Sequence, residues 1–163
     1  MSSSQFAEDV IRNLECELEG ELLLETISAI FHPNEAIVPI LAQLKRAAVP
    51  MAVLSNTCEP HWNWILQRNW PVIAEWFDYY VLSYEAKSMK PDAGIYEHSE
   101  ARAGRPPELL FFTDDRADNI AAAAARGWTA HQFVGVEPLA AALSEWLGLA
   151  INPHAALDAV RPS

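Results

Sequence analysis

Three apolar runs of this 163-residue chain each lie just ahead of a small set of polar side chains. These polar residues are Ser55 and Asn56 after MAVL, Lys90 seven residues after YYVLS, and Asp114 with Asp115 after LLFFT. Serine and asparagine donate hydrogen bonds to phosphate oxygens, a lysine neutralises phosphate charge, and carboxylate pairs hold magnesium through oxygen. The residue types therefore favour a site for a phosphate group and its divalent cation, Mg²⁺.

The apolar runs alternate with segments of helical periodicity, which is typical of a parallel α/β sheet with right-handed crossovers. The predicted strands cover 51–54, 79–83, 109–113 and 129–134, and the predicted helices cover about 59–68, 92–103, 118–127 and 138–147. Ligands of such sheets collect beyond the carboxyl ends of the strands. We therefore expect the three polar sets to converge on one rim of the sheet.

The segments outside this alternation are helical or irregular. Apolar positions recur at helical spacing over 6–31, with Gly20 separating two helices, and a third helix is predicted from 33 to about 48. The tail from 149 onward contains Pro153 and Pro162 and has no clear period. We expect that tail to be loose.

Composition excludes several classes of protein. The formal net charge of −11 repels phosphate backbones and anionic lipid, so we expect neither nucleic acid nor a membrane as a partner. No apolar run reaches the roughly 18 residues that a membrane span needs, and no secretory signal is visible at the start. Two cysteines, Cys16 and Cys58, are too few for a disulfide framework. These features predict a cytoplasmic globular domain.

Each polar set also has an ordinary structural interpretation. A Ser-Asn-Thr stretch after a strand commonly caps a helix. An aspartate pair before a helix commonly interacts with the partial positive charge at the N-terminus of that helix. Cys58, with His61 nearby, offers a separate hypothesis of a thiol nucleophile, which ranks far behind because the spacing shows no supporting constellation. The three polar sets occur in order and all at strand ends, which favours one common site.

Three stretches carry a family resemblance: LSNT, SYEAKSMKPDAGIY and FFTDDRADNIAAAAARGW. They resemble three of the four signatures of the haloacid dehalogenase superfamily, and they are most similar to its small sugar-phosphate phosphatases of the alpha-D-glucose-1-phosphate phosphatase type. The resemblance runs from about 6 to 147. It implies a Rossmann-like parallel sheet over 33–148, a remnant of a helical cap over 1–32, and a tail over 149–163.

The resemblance also implies a role for each residue of the site. Ser55 and Asn56 would hold the substrate phosphate, and Lys90 would orient both the phosphate and the attacking group. Asp114 would bind Mg²⁺ directly, with Asp115 in the same cluster. Asn119 would take a supporting role behind the aspartate pair.

The family's first signature, an Asp-x-Asp at the end of the first central strand, has no counterpart among the aspartates of this chain. In the family, the first of those aspartates attacks phosphorus and the second is the general acid and base. We therefore expect the chain to begin inside the cap, to bind Mg²⁺ weakly or not at all, and to lack phosphatase activity.

Two functions follow from these observations. One is an incomplete phosphatase-type hydrolase for a small phosphorylated metabolite, and the alternative is a non-catalytic phosphate-binding or protein-interaction remnant of that fold. In the family, the missing strand lies between the strands that end at Ser55 and Asp114. We therefore expect an open slot there, filled by another strand or by a second copy in a homodimer.

Overall fold

Four short strands and the helices between them make up the described residues, 3–14 and 19–156, of this computed structural model. The strands are β1 (Ala52–Ser55), β2 (Tyr79–Leu82), β3 (Phe111–Asp114) and β4 (Thr129–Gln132). The helices are α1 (Ser3–Leu14), α2 (Gly20–Ser28), α3 (Val38–Arg46), α4 (Glu59–Gln67), α5 (Pro71–Glu75), α6 (Ser83–Ala86), α7 (Ala93–Ala103), α8 (Ala117–Ala125) and α9 (Val136–Leu147). Parts of the predicted cap and tail, 1–2, 15–18 and 157–163, lie outside the described residues.

The strands pair in parallel, in two separate sheets of two strands each. β1 pairs with β2 in the register Ala52↔Tyr79, and β3 pairs with β4 in the register Phe111↔Thr129. In the described ranges, no pairing joins β1 to β3. The parallel α/β fold class is therefore confirmed, and the expected gap between the two site-bearing strands is present.

Two hydrophobic clusters cover the strands. One contains Ile40 and Leu139, from α3 and α9, with Phe111 packed against it. The other contains Ile95 and Phe112, and it includes residues of α7 and α8. Because successive side chains of a strand point to opposite faces, the neighbours Phe111 and Phe112 reach different clusters. The strands therefore form a middle layer between two layers of helices.

Helix α8 is fixed to α7 by an ionic cluster. Arg126 Nη2 donates to Glu100 Oε2 at 2.7 Å, and Trp128 Nε1 donates to Glu100 Oε1 at 2.9 Å. The hydrogen bond from Arg126, helped by that from Trp128, holds the pKa of the Glu100 carboxyl below its ordinary value. This cluster anchors the end of α8 opposite to the end that faces the candidate site.

The C-terminal tail, which we expected to be loose, contacts two helices over its described part, 149–156. Gln43 Nε2 donates to the Asn152 carbonyl at 2.7 Å, and the Asn152 main-chain N–H donates back to Gln43 Oε1 at 3.0 Å. The main-chain N–H of Ile151 donates to Ser144 Oγ, and its side chain packs against the first hydrophobic cluster. The prediction of a loose tail is therefore wrong for 149–156, because these contacts tie it to α3 and α9.

None of the helices in the described ranges is both long enough and apolar enough to span a membrane.

Candidate functional site

Two of the predicted site residues, Lys90 and Asp114, meet at the carboxyl ends of β1 and β3. Lys90 Nζ donates to Asp114 Oδ2 at 2.6 Å and to the Leu54 carbonyl at 2.7 Å. Lys90 lies in the loop between α6 and α7, whereas Leu54 belongs to β1 and Asp114 to β3. One side chain therefore bridges the two strands that the sheet pairing leaves apart.

The ion pair of Lys90 and Asp114 is nearly sealed from solvent, with exposed side-chain fractions of 9% and 8%. Burial alone raises the pKa of the Asp114 carboxyl. The hydrogen bonds that this carboxylate accepts, that from Lys90 first among them, outweigh burial and hold its pKa below the ordinary value. Asp114 is therefore an anion at neutral pH and cannot serve as a proton donor there.

Asn56 holds the main chain of Lys90. Its Nδ2 donates to the Lys90 carbonyl at 2.8 Å, and its Oδ1 accepts from the Lys90 main-chain N–H at 2.7 Å. Both ends of the amide are thus directed at one residue 34 positions away in sequence. In this arrangement Asn56 positions the lysine loop, a role that the strand-end pattern did not indicate.

Asn119 supports Asp114 from the first turn of α8. It is 2% exposed, and its Nδ2 donates to Asp114 Oδ1 at 2.9 Å. The main-chain N–H of Arg116 donates to the same oxygen at 2.9 Å. Behind Asn119, the hydroxyl of Tyr96 donates to the Asn119 carbonyl at 2.9 Å. The prediction of a supporting role for Asn119 agrees with this contact.

Ser83 connects the ends of β1 and β2. Its Oγ accepts from the main-chain N–H of Thr57 at 3.0 Å and donates to the Thr57 carbonyl at 2.9 Å. The loop that follows Ser55, the last residue of β1, is therefore held at the main-chain N–H and carbonyl of Thr57. The serine at the end of YYVLS is the sequence signal for this contact, but its position alone does not indicate the role.

The family model of the haloacid dehalogenase-like hydrolases matches residues 4–127. The chain belongs to this family. The match includes all five predicted site residues. It also includes α1 from residue 4 onward and the whole of α2, and both helices precede β1.

Two solved structures of other proteins share this fold. A haloacid dehalogenase family enzyme of Bacteroides thetaiotaomicron, crystallised as the wild-type protein with magnesium and inorganic phosphate, matches with a TM-score of 0.73 at 23% identity. The match covers 81% of this chain and 69% of that one. An uncharacterised protein of Corynebacterium glutamicum matches with a TM-score of 0.58 at 20% identity, over 68% of this chain and 79% of that one.

Besides Asp114, three of the five predicted residues, Ser55, Lys90 and Asp115, still offer a group to a ligand. Ser55 is half-buried at the end of β1, and Asp115 is exposed beside the buried ion pair. Lys90 has one donor left, because an ammonium group has three and two are used within the protein. A hydroxyl, one ammonium donor and an exposed carboxylate are thus the groups that this haloacid dehalogenase-like chain offers.

The two aspartates fit a water-rich magnesium site. Asp114 accepts three hydrogen bonds, and a carboxylate has about four lone-pair positions, so about one remains for a cation. Asp115 adds a second carboxylate. Across the described ranges, no group of three or more His, Cys, Asp and Glu is arranged around a common point. Mg²⁺ is commonly held by one or two carboxylates while it keeps several waters, which matches this donor set.

The thiol hypothesis finds no support in the geometry around Cys58. Cys58 is a free, exposed cysteine at the start of α4. The ring of His61 packs edge-on against Phe31, with 5.1 Å between ring centroids. Within the described residues no hydrogen bond joins His61 to Cys58.

Proposed function

We propose that this chain carries the phosphate- and magnesium-binding half of a phosphatase-type site for a small phosphorylated metabolite. The observation that carries the proposal is the buried pair of Lys90 and Asp114, which bridges β1 and β3 beside Ser55. The resemblance to phosphatases of the alpha-D-glucose-1-phosphate type supports a small substrate. The magnesium and inorganic phosphate bound to the Bacteroides enzyme support the ligand class.

In this proposal, Ser55 and the remaining donor of Lys90 bind phosphate oxygens. Asn56 holds Lys90 in place through its main chain, and its exposed position leaves it at the edge of the bound group. Asp114 and Asp115 would hold Mg²⁺, which when bound neutralises phosphate charge. Because Lys90 and Asp114 are fixed by several hydrogen bonds each, the site is organised before a ligand arrives.

We further propose that this chain by itself does not complete the hydrolysis. A covalent phosphatase mechanism needs a nucleophile and a proton donor, and no Asp-x-Asp is present in the sequence. Asp114 cannot be the proton donor, since its lowered pKa keeps it ionised, and the three hydrogen bonds that it accepts make it a poor nucleophile. Phosphate binding can persist without the chemical step.

The first test is an activity assay on the full chain. With p-nitrophenyl phosphate and Mg²⁺ in millimolar excess, we expect release of nitrophenol at the rate of the protein-free control. Cys58→Ser and Asp114→Asn serve as matched variants, and both should give the same background rate. Turnover that is lost in Asp114→Asn but kept in Cys58→Ser would contradict the proposal, because the chain would then complete the hydrolysis at this site without an Asp-x-Asp.

The second test is phosphate affinity, measured by calorimetric titration of inorganic phosphate in the presence of Mg²⁺. We expect a dissociation constant in the millimolar range, equivalent to about 4 kcal/mol. Ser55→Ala removes one hydrogen bond to the phosphate and should weaken binding by roughly fivefold, which corresponds to about 1 kcal/mol. Thr129→Ala, at the amino end of β4 and therefore at the opposite edge of the strands from the site, is the matched control. Equal affinity in both variants would contradict the assignment of Ser55.

A further inference from the structure

The loop that contains Asp115 is tied to the end of β4. Gln132 is the last residue of β4, and its Nε2 donates to the Asp115 carbonyl at 2.9 Å. One residue further on, the main-chain N–H of Phe133 donates to the Asp114 carbonyl at 2.8 Å. Two consecutive carbonyls are therefore held from the end of β4, one by main chain and one by a side chain.

The side-chain bond reaches beyond the strand pairing. Asp114 is the register partner of Gln132 in the parallel pair of β3 and β4, so the bond from Phe133 continues the ladder of these two strands. Asp115 lies beyond β3, which ends at Asp114. The bond from Gln132 therefore extends the hold of β4 one residue past the ladder, onto Asp115.

This hold acts on the more exposed member of the aspartate pair. The Asp114 carboxylate accepts three hydrogen bonds and belongs to a buried ion pair. Asp115 is exposed, and Gln132 contacts its main chain. A carboxylate on a loose loop loses conformational freedom when it binds a cation, and a main chain that is already fixed lowers that cost.

A glutamine suits this position because its donor is neutral. The charge of a lysine or an arginine would attract the Asp115 carboxylate and compete with a cation for it. An ionised glutamate has no donor for a carbonyl. The match with the family model ends at residue 127, so it does not extend to Gln132.

We propose that Gln132 is a positioning residue for Mg²⁺, which holds the main chain of Asp115 so that its carboxylate binds the cation together with Asp114. This inference rests on the magnesium site proposed above. Mg²⁺ demands near-octahedral geometry, whereas Ca²⁺ accepts irregular geometry and more ligands. Loss of the bond should therefore weaken the binding of Mg²⁺ more than that of Ca²⁺, which a general loss of stability would not do.

The test follows the Asp115 main-chain amide of the ¹⁵N-labelled full chain by NMR during titration with MgCl₂ or CaCl₂. Gln132→Met keeps the length of the side chain and removes its donor. We expect the affinity for Mg²⁺ to fall roughly tenfold, as is typical when the partner of a metal ligand is removed. The affinity for Ca²⁺ should fall by less than about threefold.

Gln43→Met is the matched control. Gln43 Nε2 also donates to a main-chain carbonyl, that of Asn152, but this bond ties α3 to the tail. Both cation affinities of this variant should stay within about twofold of the wild type. The control therefore separates the position of Gln132 from the loss of one glutamine contact.

A double-mutant cycle ties the effect to Asp115. In the Asp115→Asn background, Gln132→Met should weaken Mg²⁺ binding by less than about twofold further, since the carboxylate that it positions is gone. Hydrogen exchange without metal is an independent measurement. The main-chain N–H of Arg116 donates to Asp114 Oδ1, and its exchange should be faster in Gln132→Met and unchanged in Gln43→Met.

The outcomes separate this inference from the proposed site. Wild-type binding of Mg²⁺ that Gln132→Met leaves unchanged would overturn the role of Gln132 alone. Equal losses for Mg²⁺ and Ca²⁺, a full further loss in the Asp115→Asn background, or unchanged exchange at Arg116 would overturn it too. An Asp115 amide that does not respond to Mg²⁺ in the wild type would contradict the magnesium site itself, and this inference with it.

Discussion

Replacement of Lys90 by methionine is expected to lower the free energy of unfolding by about 3–5 kcal/mol, the cost of leaving a buried charge without its partner. Methionine keeps most of the length of the side chain but removes the ammonium group, so the Asp114 carboxylate stays buried and loses its cation. Urea unfolding at pH 7 measures the change. Lys87→Met is the matched control, since Lys87 is exposed and lies three residues away; we expect a change below about 0.5 kcal/mol there.

A double-mutant cycle separates lost charge pairing from lost packing. In the Lys90→Met, Asp114→Asn double variant, the buried anion is gone as well, so we expect at least half of the stability lost in Lys90→Met to return. Additive losses in the double variant would contradict the interpretation, because the effect of Lys90→Met would then come from packing and from the bond to the Leu54 carbonyl.

The ion pair of Lys90 and Asp114 makes the free energy of unfolding depend on pH. The folded-state pKa of Asp114 is lowered, so its contribution to stability is complete above the unfolded carboxyl pKa of about 3.9 and is lost as pH falls through the lower folded value. Without Lys90, its hydrogen bond and charge no longer offset burial, so the Asp114 carboxyl takes up a proton at a higher pH than in the wild type. The penalty of Lys90→Met should therefore be smaller at pH 4 than at pH 7.

The sequence predicted the convergence of the site because parallel strands place their carboxyl ends on one edge. The apolar runs located all four strands, and the polar residues that follow them located Ser55, Lys90 and Asp114 on that edge. The main difference between the predicted and the observed strands is in where they begin and end. The chain forms a 3₁₀ turn over Pro107–Leu109, so β3 begins at Phe111 instead of Leu109.

The contacts that organise the site could not be predicted from local pattern. The amide of Asn56 bonds the main chain of a residue 34 positions away, and the Tyr96 hydroxyl bonds a carbonyl 23 positions away. Such partners depend on how loops pack after the strands are placed, and strand or helix periodicity does not encode them. The docking of Asn152 on Gln43, across 109 positions, was missed for the same reason.

Tyr96→Ala is expected to cost about 3–5 kcal/mol of stability, because Tyr96 is fully buried and joins three elements. Its ring packs edge-to-face on Phe112 and Trp128, with centroid distances of 6.0 and 5.5 Å. Tyr84→Ala is the matched control and should cost about 1 kcal/mol, because Tyr84 is half-buried and its hydroxyl donates to the adjacent, exposed Glu85. Similar losses in both variants would contradict this assignment of the core.

Tyr96→Phe isolates the hydroxyl, and its effect should depend on pH. At pH 7 the lost hydrogen bond to the Asn119 carbonyl should cost about 1 kcal/mol. Burial, with the nearby charges of Asp114 and Asp118, raises the pKa of Tyr96 from 10.0 to about 12. A raised folded pKa means that the native state holds the proton more tightly, so this contribution is complete below pH 10 and is lost as pH rises toward 12. The difference in free energy of unfolding between the wild type and Tyr96→Phe should therefore decrease across that pH range. Urea unfolding at pH 9, 10 and 11 measures this difference. A constant difference over the series would show that the phenol is not held protonated by its surroundings.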